Sequence, residues 1–477
     1  MIEKGKKLGF WSLVAIVFGM MVGSGLYNIP QNLAAGAGPA SVGVAWVVTG
    51  AGMLLLVATF KLLCDRRPDL DAGIYQYAQE CFGNFTGFNI AWGYWLCASF
   101  ANVAYAVMLN DSFGAFFPVL LGHRWPTLVF GSALIWLMFF IVAAGIRTAK
   151  FINTFLAALK VVAILLVAVL LTINIRLGIF DFNFSTEFGS GETMLGQVKS
   201  TMLVTLWCFI GIEGAVMMSA RAKRPEDVGR ASVTGFLISW GLYVLISLLS
   251  FGVMTRARLS GLDDPSVAYV LRDICGDWAY YFVILSVIVS LLGGWVAWTL
   301  VCAQVPYEAA VVKIFPKSFL RLNSQGMPAF GLFVASLVMQ FFLVLVMMAD
   351  DVYMAALTIT GMMILPAYLS GGVYLCKLSF HPEEIRQRDR KALLRYRITG
   401  ILCTLFCLWM IYAGGVSLFL FTSFFYLAGI GFYFKSRNER RLAGKASFAR
   451  GDRIMFVILA AALLASALLM LNGYSPL

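Results

Sequence analysis

Thirteen runs of mostly apolar residues, each about long enough for a helix to cross a bilayer, leave this chain one environment to fold in. A crossing takes about 20 such residues. The runs lie near 9–34, 41–63, 86–109, 127–147, 152–175, 198–219, 232–254, 278–303, 329–348, 353–376, 398–413, 415–434 and 454–471 of 477 residues. With 61% hydrophobic and 13% charged residues, a soluble fold could not cover its apolar surface, and disorder is excluded for the same reason. The expectation is an all-α integral membrane protein in a single domain, 1–477. The first run follows Lys4, Lys6 and Lys7, as a secretory signal would. It is too long and too glycine-interrupted for the apolar core of a signal, so it reads as a span.

The net charge of +12 follows from topology rather than from a polyanionic partner. With the N-terminus in the cytoplasm, 29 of the 36 Lys and Arg fall on the cytoplasmic side. Only Arg124, Arg176, Arg256, Arg258 and Arg272 fall outside, and Lys160 and Lys199 lie within spans. This is the positive-inside pattern. It predicts a multi-pass protein of the cytoplasmic (inner) membrane, with an outside C-terminus if all thirteen runs span. Its surroundings are the lipid bilayer, and no nucleic acid is expected.

The acids give a sharper signal. All fall in loops, at span ends or in terminal segments except Glu213, in the middle of span 6. A carboxylate at that depth costs about 3 kcal/mol or more. Glu213 is either a functional group or a neutral partner for another helix.

Spans 1 and 6 also carry glycine clusters, Gly19-Met20-Met21-Val22-Gly23-Ser24-Gly25 and Gly211-Ile212-Glu213-Gly214. Glycine frees backbone groups that hydrocarbon tolerates only beside a cavity, although small residues also serve close helix packing. The clusters lie five spans apart. That is the pattern of a five-span unit repeated in inverted orientation, with broken helices facing a central site. The expected boundaries are 9–175 for the first repeat, 198–376 for the second and 398–471 for three accessory spans.

Other function classes lack their groups. The cysteine count is odd, at nine, and without C-x-x-C, so a disulfide framework is not expected. The two histidines, His123 and His381, lie outside the runs, so no metal or cofactor site is expected. There is no H-E-x-x-H, no pair of intramembrane carboxylates and no P-loop, which argues against an enzyme and against ATP-driven transport. A channel remains the rival class; flux that depends on substrate on the opposite side would separate the two.

Several motifs, taken together, carry a resemblance over nearly the whole chain. They are Gly23-Ser24-Gly25-Leu26 with Ile29-Pro30, Pro68-Asp69-Leu70-Asp71-Ala72-Gly73-Ile74-Tyr75, Trp92-Gly93-Tyr94-Trp95 with Asn102-Val103-Ala104, Leu206 to Ala215, and Trp298-Thr299-Leu300. The chain resembles the amino acid–polyamine–organocation (APC) superfamily, and within it the basic amino acid/polyamine antiporters that exchange arginine for ornithine or agmatine. Two features depart from the usual pattern: Ala72-Gly73 where many members have Gly-Gly, and a thirteenth span.

The resemblance implies a five-plus-five, LeuT/APC-type fold. It also implies alternating-access exchange of a cationic amino acid, most simply arginine, for ornithine or agmatine. Proton-coupled symport or uniport of another amino acid is the alternative. The partners are then small amino acid and amine substrates, and a homodimer is compatible with many relatives.

A zwitterion with a cationic tail needs three kinds of contact. The broken span 1 offers the Ser24 hydroxyl and the N–H groups of Ser24 and Gly25 to a carboxylate. Freed carbonyls near Met21, Trp207 and Ile210 suit the ammonium. For the tail, the resemblance points to Trp298 as a cation–π face, with Trp295 as the alternate, and to a span-3 wall of Cys97, Ala98 and Asn102. A desolvated cation–π contact contributes about 2 kcal/mol. Asn102 can equally serve as an interhelical hydrogen bond. Trp207 and Tyr94 match aromatic residues that cover the substrate, and Tyr75 matches a tyrosine linked to gating. In span 10, Thr358, Thr360 and Pro366 suggest a polar wall. Some members of the resembled superfamily carry an amine in span 5 where sodium-coupled relatives hold a sodium ion; Lys160 either does the same or snorkels out of the membrane. Glu213 is expected to couple turnover to pH, because proton and substrate cation compete for one carboxylate.

Overall fold

The computed structural model describes residues 9–23, 25–70, 73–121, 124–179, 193–217, 222–348, 351–381, 383, 389–439 and 450–473. Ser24 therefore lies outside the described residues.

The described residues of the apolar runs are mainly helical, with breaks inside runs 1 and 6. The first half holds α1 (Phe10–Met21), α2 (Gly25–Gly36), α3 (Pro39–Arg66), α4 (Ile74–Phe82), α5 (Asn84–Gly114), α6 (Arg124–Ala143) and α7 (Ile146–Ile173). The second holds α8 (Met194–Trp207), α9 (Gly214–Met217), α10 (Pro225–Phe251), α11 (Arg256–Ser260), α12 (Ser266–Cys275), α13 (Asp277–Val311), α14 (Ala329–Val346) and α15 (Val352–Leu378). The remainder is α16 (Arg390–Gly414), α17 (Val416–Ala428), α18 (Ile430–Glu439) and α19 (Arg450–Leu471).

Among the described residues, ten helices are long and apolar enough to cross a bilayer, and the bent pair α1–α2 makes an eleventh. The other two runs, 5 and 6, fall on α7 and on the divided pair α8 and α9. The described apolar part of α7 is Leu159–Ile173. Run 6 is divided between α8, of 14 residues, and α9, of 4 residues. Helices also lie between the runs: the segment after α3 carries α4, and α11 and α12 lie between α10 and α13.

The centre of the bundle is α5. It has no polar face, and its residues from Phe85 to Asn110 are all buried. A helix that is apolar all round belongs in the interior. It packs against α13, α15, α4 and α14. Small residues allow the close approaches: a Cβ on Gly93 would collide with the Tyr426 ring of α17, whose hydroxyl passes over α5 to donate to the Met363 carbonyl of α15 at 2.8 Å. By contrast α19 leaves Ile454, Val457, Ile458 and Leu464 exposed, as a helix at the lipid boundary does. Its Asp452 reaches inward and accepts the Phe85 N–H at 2.9 Å, satisfying a donor at the start of α5. The nine cysteines are all free.

Candidate functional site at two helix breaks

Helix α1 stops at Met21 and α2 restarts at Gly25, bent by 45°. The last carbonyls of a helix have no intrahelical donor. Here the Phe18 carbonyl takes the Val22 N–H at 2.9 Å, and the carbonyls that follow find side chains from other spans. Lys160 of α7, 2% exposed, donates from Nζ to the Gly19 carbonyl at 3.2 Å and to the Val22 carbonyl. The Met20 carbonyl accepts the Trp298 indole N–H at 3.3 Å, and the Met21 carbonyl accepts the Tyr243 hydroxyl at 2.7 Å. The Met21 carbonyl, expected to face an ammonium, thus already has a tyrosine donor.

The second break runs from Cys208 to Glu213. Tight turns replace the helix there, with Ile210 N–H to the Trp207 carbonyl at 3.3 Å and Ile212 N–H to the Phe209 carbonyl at 3.1 Å. Gly211 has φ of 108°, a left-handed value that favours glycine. A Cβ at Gly211 would lie 2.9 Å from the Met20 Cβ, so the two breaks press against each other at this residue. Glu213 closes the turn on itself. Its Oε2 accepts the Gly211 N–H at 3.3 Å and the Tyr368 hydroxyl at 2.9 Å, and its Oε1 accepts the Tyr94 hydroxyl at 2.8 Å.

Between the breaks lies a cavity of about 10 Å³, lined by Met20, Met21, Gly23, Gly25, Ala101, Tyr105, Trp207, Ile210 and Trp298. That is room for about one water. Admitting an amino acid requires side chains to move. Trp207 lies against the start of α2, its Cδ1 3.1 Å from where a Gly25 Cβ would be. Tyr105 crosses from α5 to span 1, its hydroxyl 2.5 Å from where a Gly23 Cβ would be.

Five residues singled out in the sequence therefore meet at one cavity: Met21, Gly25, Trp207, Ile210 and Trp298. The span-3 residues sit beside it rather than on its lining. Asn102 donates to Cys302 Sγ at 3.4 Å, and its Oδ1 is buried with no partner among the described residues. Cys97 donates to the Thr360 carbonyl at 3.5 Å, and Ala98 is fully buried. The Thr360 hydroxyl, expected as part of a polar wall, instead donates to the Ala356 carbonyl of its own helix at 2.7 Å. Trp295 is buried and absent from the lining. Lys199 lies over the Tyr412 ring at 4.4 Å.

Sequence reasoning missed Tyr105, Tyr243 and Tyr368. Each is a tyrosine in an apolar span, and only the spatial arrangement separates it from a packing aromatic. Pro366, two residues before Tyr368, drew attention to the right stretch of span 10 but not to the right side chain.

From the Glu213 clasp a column of rings leads to the end of α3. Tyr368 meets Phe60 at 6.1 Å, Phe60 stacks on Tyr77 at 6.4 Å, and Tyr77 stacks on Tyr374 at 5.9 Å. Arg67 caps the column, donating to the Tyr374 hydroxyl and pairing with Asp69 at 2.7 Å. The Arg67 guanidinium holds the Asp69 carboxyl below the ordinary carboxylate range. Tyr75, on α4 like Tyr77, is fully buried. Among the described residues, no group of three or more His, Cys, Asp and Glu gathers to hold a metal ion.

Two unwound spans meeting at a closed central cavity, in a helical membrane bundle, define the class: a transporter of the five-plus-five inverted-repeat fold. The solved structure of MhsT in complex with L-phenylalanine has this fold, with a TM-score of 0.58 at 12% identity over 84% of this chain and 98% of that one. The chain belongs to the amino acid permease family, whose profile matches residues 8–433.

Its relatives include the arginine/agmatine antiporter of Chlamydia abortus, 40% identical over 96% of this chain and 95% of that protein. The arginine/agmatine antiporter of Chlamydia trachomatis serovar L2 is 41% identical over 98% and 97%. A putative amino-acid transporter of Clostridium perfringens strain 13 is 38% identical over 95% and 96%.

Proposed function

We propose that this protein exchanges arginine for a decarboxylated or shortened amine, agmatine or ornithine, by alternating access. The observation that carries the reading is Trp298. Its ring is buried at the cavity, fixed by its bond to the Met20 carbonyl, and so offers an aromatic face to a guanidinium. Asn102, with an unpaired buried oxygen one residue from Ala101 of the lining, supplies an acceptor for the same group. The N–H groups at the start of α2, with Ser24, take the carboxylate. Carbonyls of the breaks take the ammonium, near Ile210 and Trp207.

Trp207 covers the substrate on one side. Tyr94, Glu213, Tyr368 and the ring column with Tyr75 close the other. Lys160 replaces a coupling ion by satisfying the carbonyls of span 1, so exchange needs no sodium. The relatives named arginine/agmatine antiporters support this substrate pair.

Labelled arginine outside proteoliposomes, against a panel of unlabelled amines inside, tests the reading. Uptake should require internal agmatine, ornithine or arginine and be indifferent to sodium. Equal uptake into empty vesicles overturns exchange.

In the cell we place the protein in the cytoplasmic membrane with the repeats at 9–175 and 198–376. A reporter active only in the cytoplasm should work after Arg390 and be silent after Leu477. Activity at both sites removes the thirteenth span.

A further inference from the structure

A second cavity, of about 330 Å³, opens on the outside of the bundle between α1, α7 and α10. Its lining is apolar throughout, with Phe18 from α1, Val161 and Leu165 from α7, and Leu237, Ile238 and Gly241 from α10. That volume is in the range of small-molecule sites. The walls are open to the surroundings: Leu165 is 53% exposed, Leu237 45% and Ile238 44%. All three helices belong to apolar spans or their immediate continuation, so hydrocarbon surrounds the groove. Gly241 is part of its lining. A Cβ there would meet nothing within 4 Å, so the residue is not required by packing between helices.

The same face of α10 carries a cation. Arg230 stands 7 residues before Leu237 and 11 before Gly241. At 100° per residue the three lie within about 20° of one line, and Arg230 is about 10 Å nearer the end of the helix. Its side chain is exposed, as are those of Lys223 and Arg224 just before α10 begins. Glu226 and Asp227 share that first turn, leaving the end with a net positive charge.

We propose that this groove binds one anionic phospholipid of the surrounding bilayer, an acyl chain lying along Phe18, Leu165 and Gly241 and the phosphate on Arg230. Charge selects the headgroup and the apolar lining takes the chain. The position matters for transport. Phe18 directly precedes Gly19, whose carbonyl accepts Lys160, and Val161 directly follows Lys160. A chain in the groove lies against both partners of that contact from behind. Movement of α1 changes the groove, so lipid occupancy and the position of α1 are reciprocally linked.

Native mass spectrometry of the full-length protein with dioleoylphosphatidylglycerol or dioleoylphosphatidylcholine tests this. The wild type should retain one phosphatidylglycerol in preference to phosphatidylcholine. Arg230→Gln should cut that preference about fivefold, since a basic residue near anionic headgroups contributes about 1 kcal/mol. Gly241→Phe should fill the groove and weaken both lipids about tenfold or more, because each buried CH₂ contributes about 0.8 kcal/mol. If Gly241→Phe does not fold, Gly241→Leu serves, with a photoreactive phosphatidylglycerol whose label should fall on 237–242. Equal retention of the two lipids by the wild type, unchanged retention by the filled variants, or a label elsewhere overturns the proposal. A dimer that Gly241→Phe dissociates, with no lipid retained, assigns the groove to a second copy and overturns it too.

Discussion

The two helix breaks solve one problem with opposite charges. At the span 1 break, the exposed ends are carbonyls, and a buried ammonium, Lys160, with the Tyr243 hydroxyl and the Trp298 indole satisfies them. At the span 6 break, the exposed group is an N–H, and a buried carboxylate, Glu213, takes it together with two tyrosine hydroxyls. The first lock reaches in from other helices; the second belongs to the break itself. A lock from outside can be left behind when α1 moves. A lock within the turn must carry its charge along, and can change it by taking a proton. From this difference we propose that Lys160 holds span 1 in place and that Glu213 responds to substrate and pH.

The largest expected effect comes from removing the outer lock. Lys160→Met keeps the length of the side chain but leaves the Gly19 and Val22 carbonyls without this donor, at several kcal/mol per group in hydrocarbon. Exchange in proteoliposomes should fall by two orders of magnitude or more, with a lower melting temperature in detergent. Exchange within twofold of wild type would mean that the ammonium does not hold the break.

Next is the point where the breaks touch. Gly211→Ala forces a side chain into a left-handed conformation, at about 1–2 kcal/mol, and against Met20 as well. Thermal unfolding in detergent should shift down by several degrees, while Gly241→Ala, with open space around its Cβ, should shift little. Equal shifts would remove the special status of the contact.

Trp298→Leu keeps apolar bulk and loses most of the cation–π attraction and the bond to Met20. Arginine affinity should fall about tenfold, the equivalent of 1.4 kcal/mol. Trp298→Phe should be milder. Small and equal losses would make Trp298 a packing residue and shift attention to Trp295.

The smallest effect is expected at the cap of the ring column. Asp69 is exposed and its pair with Arg67 is worth at most about 1 kcal/mol. Its folded-state carboxyl lies below the unfolded value, so its contribution is present above the unfolded value and lost as pH falls through the folded one. Asp69→Asn should change the exchange rate less than threefold and flatten only the acid end of the stability curve. A larger loss at neutral pH would make the Arg67 pair essential to closure.

How much of this was legible in the sequence follows from what each feature depends on. The spans were visible because each is a continuous apolar run that must satisfy its own backbone. Glu213 and Lys160 stood out because charge in hydrocarbon is costly wherever it points. The glycine clusters marked both breaks, since glycine weakens a helix locally. The partners were not visible. Tyr94 entered through the family resemblance, whereas Tyr368 and Tyr243 read as ordinary aromatic residues until the helices were packed. Thr360 was misjudged because a hydroxyl in a helix can bond its own preceding turn, which spacing along the chain does not reveal. The helix α4 falls between the second and third runs because its 9 residues are too few to form a span.

The contrast between the breaks is tested most directly at Glu213, by exchange rate against pH for wild type, Glu213→Gln and Glu213→Asp in proteoliposomes. Glutamine keeps acceptors for Tyr94 or Tyr368 but holds no charge and no exchangeable proton. The variant should fold, bind some arginine, exchange slowly and lose most of its pH response, and aspartate should restore part of both. Exchange by Glu213→Gln at the wild-type rate with the wild-type pH profile would show that the carboxylate is only a structural clasp.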